Sequence, residues 1–156
     1  GILTFHSLSK RSGMTGYRSG FIAGDENLVG LLKKVRPNFG VGTTEFVQQS
    51  AVCAWGDDSH VEKRRDEFRE RRDIVCAGLI DMGLAFAPSE ATFYLWVKVP
   101  SSLQPSVYAS RLLDEGIIVS TASSMESDER AIRLALVPNE AACSAAMASW
   151  KAINWG

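Results

Sequence analysis

The chain has 156 residues, 46% of them hydrophobic, and a formal net charge of −1. This length predicts one domain, and the near-neutral charge favours neither nucleic acid nor an acidic membrane surface as a partner. No apolar run reaches the roughly 18 residues of a transmembrane helix. The three cysteines lack metal-ligand or C-x-x-C spacing. We therefore expect reduced thiols, no metal site, no secretion signal and a cytoplasmic protein.

The first half of the chain predicts strands at residues 2–6 and 20–24, helices over about 26–35 and 44–55, and a long helix over about 58–82. The first strand is apolar and should be buried. The motif Ser59-x-x-Glu62 is a capping box for the long helix, and Gly83 should end it. Ten charged residues of mixed sign cover this helix, which predicts a solvated face with i,i+4 ion pairs. His60 should lie on the surface near the cap.

The second half predicts strands at 84–86, 91–99, 117–119 and 131–136, with helices over about 105–115 and 140–153. Pro105 at the first helical turn and Gly116 just past the end agree with the first of these helices. Strands that alternate with helices predict an α/β fold with the sheet on one side and the helices on the other.

A loop rich in hydroxyl groups and glycine follows the first strand. A lysine amine becomes a nucleophile for an aldehyde when burial or a nearby cation favours its neutral form, and Lys10 lies beside Arg11. A phosphate monoester prefers a guanidinium fork and short hydroxyl donors, which Arg18, Ser7 and Ser9 can supply. These residue types suit a phosphorylated aldehyde cofactor. The alternative is a solvated basic turn.

The loop also matches the pattern S-x-S-K-x(5)-G-x-R-x-G at every fixed position. This pattern resembles the cofactor-lysine signature of fold-type I, pyridoxal-phosphate-dependent class I/II aminotransferases. The resemblance implies that Lys10 binds pyridoxal 5′-phosphate as a Schiff base and later moves a proton. It also implies that Ser7 and Arg18 bind the cofactor phosphate, with Ser9 as a helper.

Arg133 interrupts a strand that is otherwise apolar. A buried arginine is costly unless an anion pairs with it, so the residues alone favour an internal salt bridge or an outward-facing side chain on an edge strand. The run Ile-Arg-Leu-Ala-Leu, however, resembles the aminotransferase motif whose arginine binds the substrate α-carboxylate. The resemblance therefore implies that Arg133 binds substrate.

Three further segments resemble the family. Residues 36–41, Arg-Pro-Asn-x-Gly-Val, resemble a segment that crosses the dimer interface, which makes Thr43 or Thr44 a weak site candidate and implies a homodimer; the alternative is a plain loop with a threonine cap. Residues 91–96 resemble the strand at the substrate entrance, although core packing would explain them equally. Residues 120–125 lack the Pro-Gly found in many members, which affects the expected substrate geometry.

Family members are more than twice as long, so the chain resembles the C-terminal portion of such an enzyme. The implied parts are a remnant of the large cofactor domain (1–57), a connecting helix (58–82) and a small α/β domain (83–156). The implied substrates are an amino acid and a 2-oxo acid, most like those of succinyl-diaminopimelate aminotransferases, and we expect the isolated chain to be inactive. The alternatives are another fold-type I enzyme, such as a decarboxylase or lyase, and a non-catalytic dimerisation module.

Overall fold

The computed structural model describes residues 1–40, 42–125 and 130–155. The chain separates into two compact units, residues 1–64 and 65–156. The boundary between them falls inside one long helix. This boundary, between residues 64 and 65, marks neither end of the connecting helix predicted over residues 58–82. The division into three parts at residues 57 and 82 therefore stays a prediction.

The first unit contains two strands and four helices, the last of which continues into the second unit. In chain order they are β1 (Leu3–Ser7), α1 (Leu8–Arg11), β2 (Gly20–Gly24), α2 (Glu26–Val35), α3 (Glu45–Gly56) and α4 (Ser59–Asp81). Short 3-10 turns lie at Thr15–Tyr17 and Arg36–Asn38. The predicted strands and helices of this part are confirmed to within about a residue, whereas the single turn α1 was not predicted.

Strands β1 and β2 form an antiparallel pair, in which Ser7 lies opposite Gly20. The expectation that the first strand is buried is wrong for this chain. Residues 4–7 are exposed, and Phe5 keeps 68% of its surface accessible. A two-stranded ribbon has two faces to cover, and among the described residues of this unit no further layer buries either one.

Helix α4 begins differently from the prediction. The carboxylate of Asp57 accepts hydrogen bonds from the backbone N–H of Ser59 at 2.9 Å and from its hydroxyl at 2.6 Å. Ser59 is therefore already helical, and the predicted capping box with Glu62 is wrong. The other end agrees with the prediction, because α4 stops at Asp81 and Gly83 follows with φ +67°, a left-handed conformation that glycine adopts without strain.

The second unit is a three-stranded sheet with helices. After α4 come β3 (Tyr94–Lys98), α5 (Pro105–Asp114), β4 (Ser120–Thr121), β5 (Ala131–Ala135) and α6 (Glu140–Ala152). The strand order is β3-β5-β4, and both pairings are antiparallel. Strand β5 is therefore the central one.

Two predicted strands of this unit are wrong. Residues 84–86 contribute only an isolated bridge at Phe86. Residues 117–119 lead out of the C-terminus of α5, where the backbone N–H of Ile117 donates to the carbonyl of Leu112 at 2.8 Å. Ile117 and Val119 pack in or against the core, whereas Ile118 between them is 79% exposed.

One face of the sheet forms the core of the second unit. Leu95 and Val97 in β3 lie opposite Leu134 and Ile132 in β5, and all four are buried. The helices add Val75 and Leu79 from α4, Tyr108 and Leu112 from α5, and Cys143, Met147 and Trp150 from α6. Because these residues meet a single face of the sheet, the predicted α/β arrangement with helices on one side is confirmed. The three cysteines are free thiols.

The charged face of α4 is only partly solvated. Arg71 pairs with Glu67 at the predicted i,i+4 spacing, 3.4 Å apart, but it also pairs with Glu140 of α6 at 2.8 Å. Its side chain is 13% exposed, so this arginine ties two helices of the unit together. Within the described parts of the chain, no helix is both long and apolar enough to cross a bilayer.

Two adjacent residues of α4 allow a matched test of this core. Leu79 is fully buried and Ile80 is 67% exposed. We predict that Leu79→Ala lowers the free energy of unfolding by about 2–5 kcal/mol, because it removes buried methyl groups and leaves a cavity. Ile80→Ala should change it by less than about 0.5 kcal/mol. Urea unfolding followed by circular dichroism measures both, and equal effects would contradict the assigned core.

Candidate functional site

The loop between β1 and β2 is built around Leu8, which is fully buried. The backbone N–H of Leu8 donates to the carbonyl of Ser19 at 3.0 Å, and its own carbonyl accepts from the N–H groups of Ser12 and Met14 at 3.0 and 3.2 Å. The Ser7 side chain caps α1. The loop thus closes on itself through backbone bonds at one buried residue.

Lys10 lies in this single helical turn and is exposed. The hydroxyl of Ser7 accepts a hydrogen bond from the backbone N–H of Ser9 at 3.1 Å and lies 3.4 Å from the carbonyl oxygen of Ser19. Ser7 and Ser9 therefore flank the start of the turn that bears the lysine.

Arg18 reaches back to the same turn. Its backbone has φ 50° and ψ 40°, a left-handed conformation that is uncommon for a residue other than glycine and often marks functional sites. Its guanidinium donates to the carbonyl of Thr15 at 3.1 Å and to the hydroxyl of Ser9 at 3.4 Å. The Thr15 hydroxyl in turn donates to the carbonyl of Ser9 at 3.2 Å.

The structure therefore places Ser7, Ser9, Lys10 and Arg18 on one loop of the first unit, with Arg18 in contact with Ser9. Thr15 belongs to the same cluster and was missed by the sequence analysis. Its position inside the loop carried no chemical signal, because a threonine one residue before a glycine is common in turns.

Arg133 lies in the second unit, opposite Trp96 of β3 and Ser120 of β4. Its half-buried side chain is on the face of the sheet away from the core, with the guanidinium carbon 4.3 Å from the ring centroid of Tyr94. Among the described residues it has no ion-pair partner. The internal salt bridge is therefore wrong for these residues. The side chain does face outward, but from a central strand.

The backbone that leads into Tyr94, the residue whose ring contacts Arg133, is held in place by a residue of α4. The Arg72 guanidinium donates to the carbonyls of Glu90 and Thr92, each at 3.0 Å. Thr92 has φ 74°, which is strained for a β-branched residue, and it interrupts the extended backbone. Strand β3 consequently begins at Tyr94 and not at residue 91 as predicted. This role of Arg72 was not predicted, because the charge pattern of α4 places Arg72 among the solvated residues.

The segment expected at a dimer interface lies mainly within the described residues, except for Val41. Thr44 is the N-cap residue of α3, but its side chain makes no capping hydrogen bond. Instead, the Gln48 side chain donates to the carbonyl of Thr43 at 2.8 Å. The predicted cap position is therefore confirmed at Thr44, but without the hydrogen bond expected from a threonine side chain. In the described ranges no group of three or more His, Cys, Asp or Glu side chains could hold a metal ion.

Comparison with known proteins gives consistent matches along the chain. Residues 1–148 match the family model "Aminotransferase class I and II". The LL-diaminopimelate aminotransferase of Aquifex aeolicus (strain VF5) is 42% identical over 120 residues, which are 76% of this chain and 31% of that protein. The 4-dedimethylamino-4-oxo-anhydrotetracycline transaminase OxyQ of Streptomyces rimosus is 36% identical over 149 residues, 95% of this chain and 41% of that protein.

Solved structures of aminotransferases share the fold of this chain. A probable N-succinyldiaminopimelate aminotransferase from Thermus thermophilus superposes with a TM-score of 0.87 at 24% identity, over 96% of this chain and 41% of that one. This likeness confirms the fold class. The chain spans between 31% and 41% of the length of these three relatives.

The contacts of Asp57 allow a prediction for pH dependence. The Ser59 hydroxyl, the His60 ring and the Ser59 N–H all hydrogen bond to its carboxylate and lower its pKa from 3.8 to about 2. Because the folded-state pKa lies below the unfolded value, the stabilisation is complete above about pH 4 and is lost as pH falls toward 2. The difference in melting temperature between the natural chain and Asp57→Asn should close over that window.

A carboxyl NMR titration measures the same effect directly. Ser59→Ala removes the strongest of these hydrogen bonds, so it should raise the pKa of Asp57 toward 3.8. A melting-temperature difference that stays constant from about pH 5 to about pH 2 would contradict the assignment.

Proposed function

Because the chain belongs to the class I and II aminotransferase family, we propose that it carries the cofactor lysine of an enzyme that moves an amino group from an amino acid to a 2-oxo acid. Enzymes of this family in general use pyridoxal 5′-phosphate, and we propose the same cofactor here. The observation that supports this most directly is the contact between the Arg18 guanidinium and the Ser9 hydroxyl, one residue from Lys10.

The side chains of the loop suit both ends of such a cofactor. A phosphate monoester is bound well by a guanidinium and short hydroxyl donors, which Arg18, Ser7 and Ser9 present together. A Schiff base with the aldehyde requires a primary amine, and Lys10 supplies one on an exposed turn. The space beside Gly16 is open, with no heavy atom within 4 Å of the position of a Cβ, so a bound group can approach the backbone there.

The bound cofactor supplies an electron sink for the reaction. We propose that Lys10 holds the cofactor through its amine and that its Nζ, once released, carries a proton at the substrate Cα as a general base. Arg18 is suited to hold phosphate oxygens because its backbone conformation and its bond to the Thr15 carbonyl set the direction of the guanidinium before any ligand arrives.

We propose that Arg133 binds the substrate carboxylate. The guanidinium carbon lies over the Tyr94 ring, and a cation–π contact of this kind leaves N–H groups able to bind both oxygens of a carboxylate. In the described residues no carboxylate takes that position. The tyrosine contact therefore helps to position the guanidinium, whose N–H groups meet no carboxylate among the described residues and can bind that of a substrate.

For the substrate, we propose an amino acid of the diaminopimelate type, as in the name of the relative with 42% identity. OxyQ, whose name indicates a tetracycline intermediate, matches a longer part of the chain at 36% identity. Residues 120–125, where the sequence departs from many family members, begin with Ser120, which lies opposite Arg133, and we propose that this segment influences substrate preference.

We further propose a cytoplasmic homodimer whose interface includes residues 36–46. Phe39 and Phe46 are 67% and 68% exposed on either side of Thr43 and Thr44, and large exposed aromatic side chains are typical of interaction surfaces. The division into a large-domain part, a connecting helix and a small domain at residues 57 and 82 belongs to the same proposal.

The assignment of Lys10 is tested by trapping. The natural full-length protein is incubated with pyridoxal 5′-phosphate and borohydride, and the labelled peptide is identified by mass spectrometry. We predict that the label lies on Lys10 and that Lys10→Ala abolishes it, because reduction fixes only the amine that has bound the aldehyde. The matched control is Lys34→Ala, which removes another exposed lysine of the same unit and should not change labelling.

A label on another lysine, or equal labelling of the Lys10→Ala variant, would contradict the proposed cofactor site. If glutamate converts the bound cofactor to its amine form, the activity is transamination. If it does not, a decarboxylase or lyase of the same fold type becomes the better interpretation.

Arg133→Lys tests the second assignment. Lysine keeps the charge but loses the planar fork and the stacking on Tyr94. We predict a fall of roughly 10–100-fold in kcat/KM for the amino acid, the free energy of a hydrogen bond between charged groups, with borohydride labelling of Lys10 unchanged. Arg69→Lys, at an exposed position of α4, is the control. An unchanged kcat/KM for Arg133→Lys would show that the carboxylate binds elsewhere.

A further inference from the structure

The turn that bears Lys10 has a second attachment that the proposed reaction does not use. Arg11, the residue after the lysine, donates to the carbonyl of Ala54 at 2.6 Å and to the carboxylate of Asp58. Its guanidinium carbon also lies 4.9 Å from the ring centroid of Trp55. With 18% of its side chain exposed, Arg11 is anchored to the last turn of α3 and to Asp58, which precedes α4.

Ser12, the next residue, is attached to the same segment. Its hydroxyl lies 3.2 Å from the Arg11 guanidinium and 2.9 Å from Nε2 of His60. The other ring nitrogen of His60, Nδ1, lies 3.0 Å from the carboxylate of Asp57. His60 was expected to be an ordinary surface residue, but it connects the start of α4 to the loop, 48 positions away in sequence.

The proton donors along this chain of contacts can be assigned. Arg11 can only donate, so the Ser12 oxygen accepts from it. An ionised Asp57 can only accept, so Nδ1 of neutral His60 carries the proton and Nε2 accepts the hydrogen of the Ser12 hydroxyl. Donors and acceptors therefore alternate without conflict from Arg11 through Ser12 and His60 to Asp57, and such a connected network favours a single arrangement.

A helical turn of four residues does not hold its own direction, because one turn provides too few backbone bonds to balance the entropy of ordering it. In α1 the N-terminal end is held by the Ser7 cap and buried Leu8. The C-terminal end, at Arg11 and Ser12, is held by the contacts to residues 54–60. Lys10 lies between these two attachments, so its backbone direction depends on both.

We propose that Ser12 and His60 are positioning residues that orient Lys10 toward the aldehyde of the cofactor. This inference rests on the proposed cofactor site. Neither residue is assigned a contact with cofactor or substrate; both act through the C-terminal end of α1. The proposed phosphate-binding residues Ser7 and Ser9 lie on the other side of Lys10, and their side chains and carbonyls bond to Ser19, Thr15 and Arg18 and not to residues 54–60.

Because the proposed phosphate contacts and the proposed positioning contacts lie on opposite sides of Lys10, two ligands can test them separately. Pyridoxine 5′-phosphate has the ring and phosphate of the cofactor but an alcohol in place of the aldehyde, so it binds without reacting with lysine. In the natural full-length protein, Ser12→Ala and His60→Leu should each weaken binding of pyridoxal 5′-phosphate about tenfold, the free energy of one hydrogen bond. Binding of pyridoxine 5′-phosphate should change by less than about twofold. Fluorescence titration gives both dissociation constants.

Two variants complete the design. His60→Gln keeps an amide that can form a hydrogen bond with the Ser12 hydroxyl. It should therefore restore most of the affinity for pyridoxal 5′-phosphate, relative to pyridoxine 5′-phosphate, that His60→Leu loses. Ser50→Ala removes a hydroxyl of the same unit that bonds only within α3, to the carbonyl of Phe46 at 2.8 Å, and should alter neither constant. If Ser12→Ala does not fold, the comparison of His60→Leu with His60→Gln decides.

Equal weakening of both ligands in Ser12→Ala and His60→Leu would overturn the inference, since a general loss of structure affects the alcohol as much as the aldehyde. Unchanged binding of both would overturn it too. Failure of the proposed function gives a different result: the unsubstituted protein would then bind the two compounds equally, and Lys10→Ala would not reduce binding of the aldehyde.

Discussion

Burial of the Leu8 side chain is the interaction on which the candidate cofactor site depends. The chain on either side of it is mostly exposed, so apolar burial fixes this loop at one point. From that point the backbone of Leu8 bonds to Ser19 in one direction and to Ser12 in the other. Every polar contact proposed for the cofactor begins within a few residues of this anchor or of Ser19.

Arg11 and Arg133 each lie over an aromatic ring, but the two guanidinium groups differ in their hydrogen-bond partners. Arg11 stacks on Trp55, and its N–H groups are taken up by a carbonyl and a carboxylate of the chain. Arg133 stacks on Tyr94, but no carboxylate within the described residues pairs with it. A stacked guanidinium whose acceptors lie in the chain holds the fold together. One whose edge lacks an acid is suited to bind an anion.

Much of the fold followed from local patterns in the sequence. Helices α2 to α6 begin and end within about a residue of their predicted bounds, because apolar spacing acts within a turn or two, although the caps expected for α3 and α4 are not the ones observed. The errors lie where a local pattern has two explanations. Ile117 and Val119 are apolar where the chain passes beside the core, whereas the first strand carries apolar residues although no layer among the described residues of its unit covers them. An apolar run predicts contact with apolar surface, but it does not say which surface.

The sequence by itself determined the chemistry of the loop: an amine, a guanidinium and two hydroxyls at a spacing characteristic of one enzyme family. It could do so because those residues all lie within the short stretch from Ser7 to Arg18. Only the tertiary structure decided what holds them in place, such as the hydrogen bond between Ser12 and His60. In the second unit it likewise decided that Arg133 lies over the ring of Tyr94. Both pairs join residues far apart in sequence. No local rule encodes such a pair, since the path of the folded chain alone brings the two side chains together.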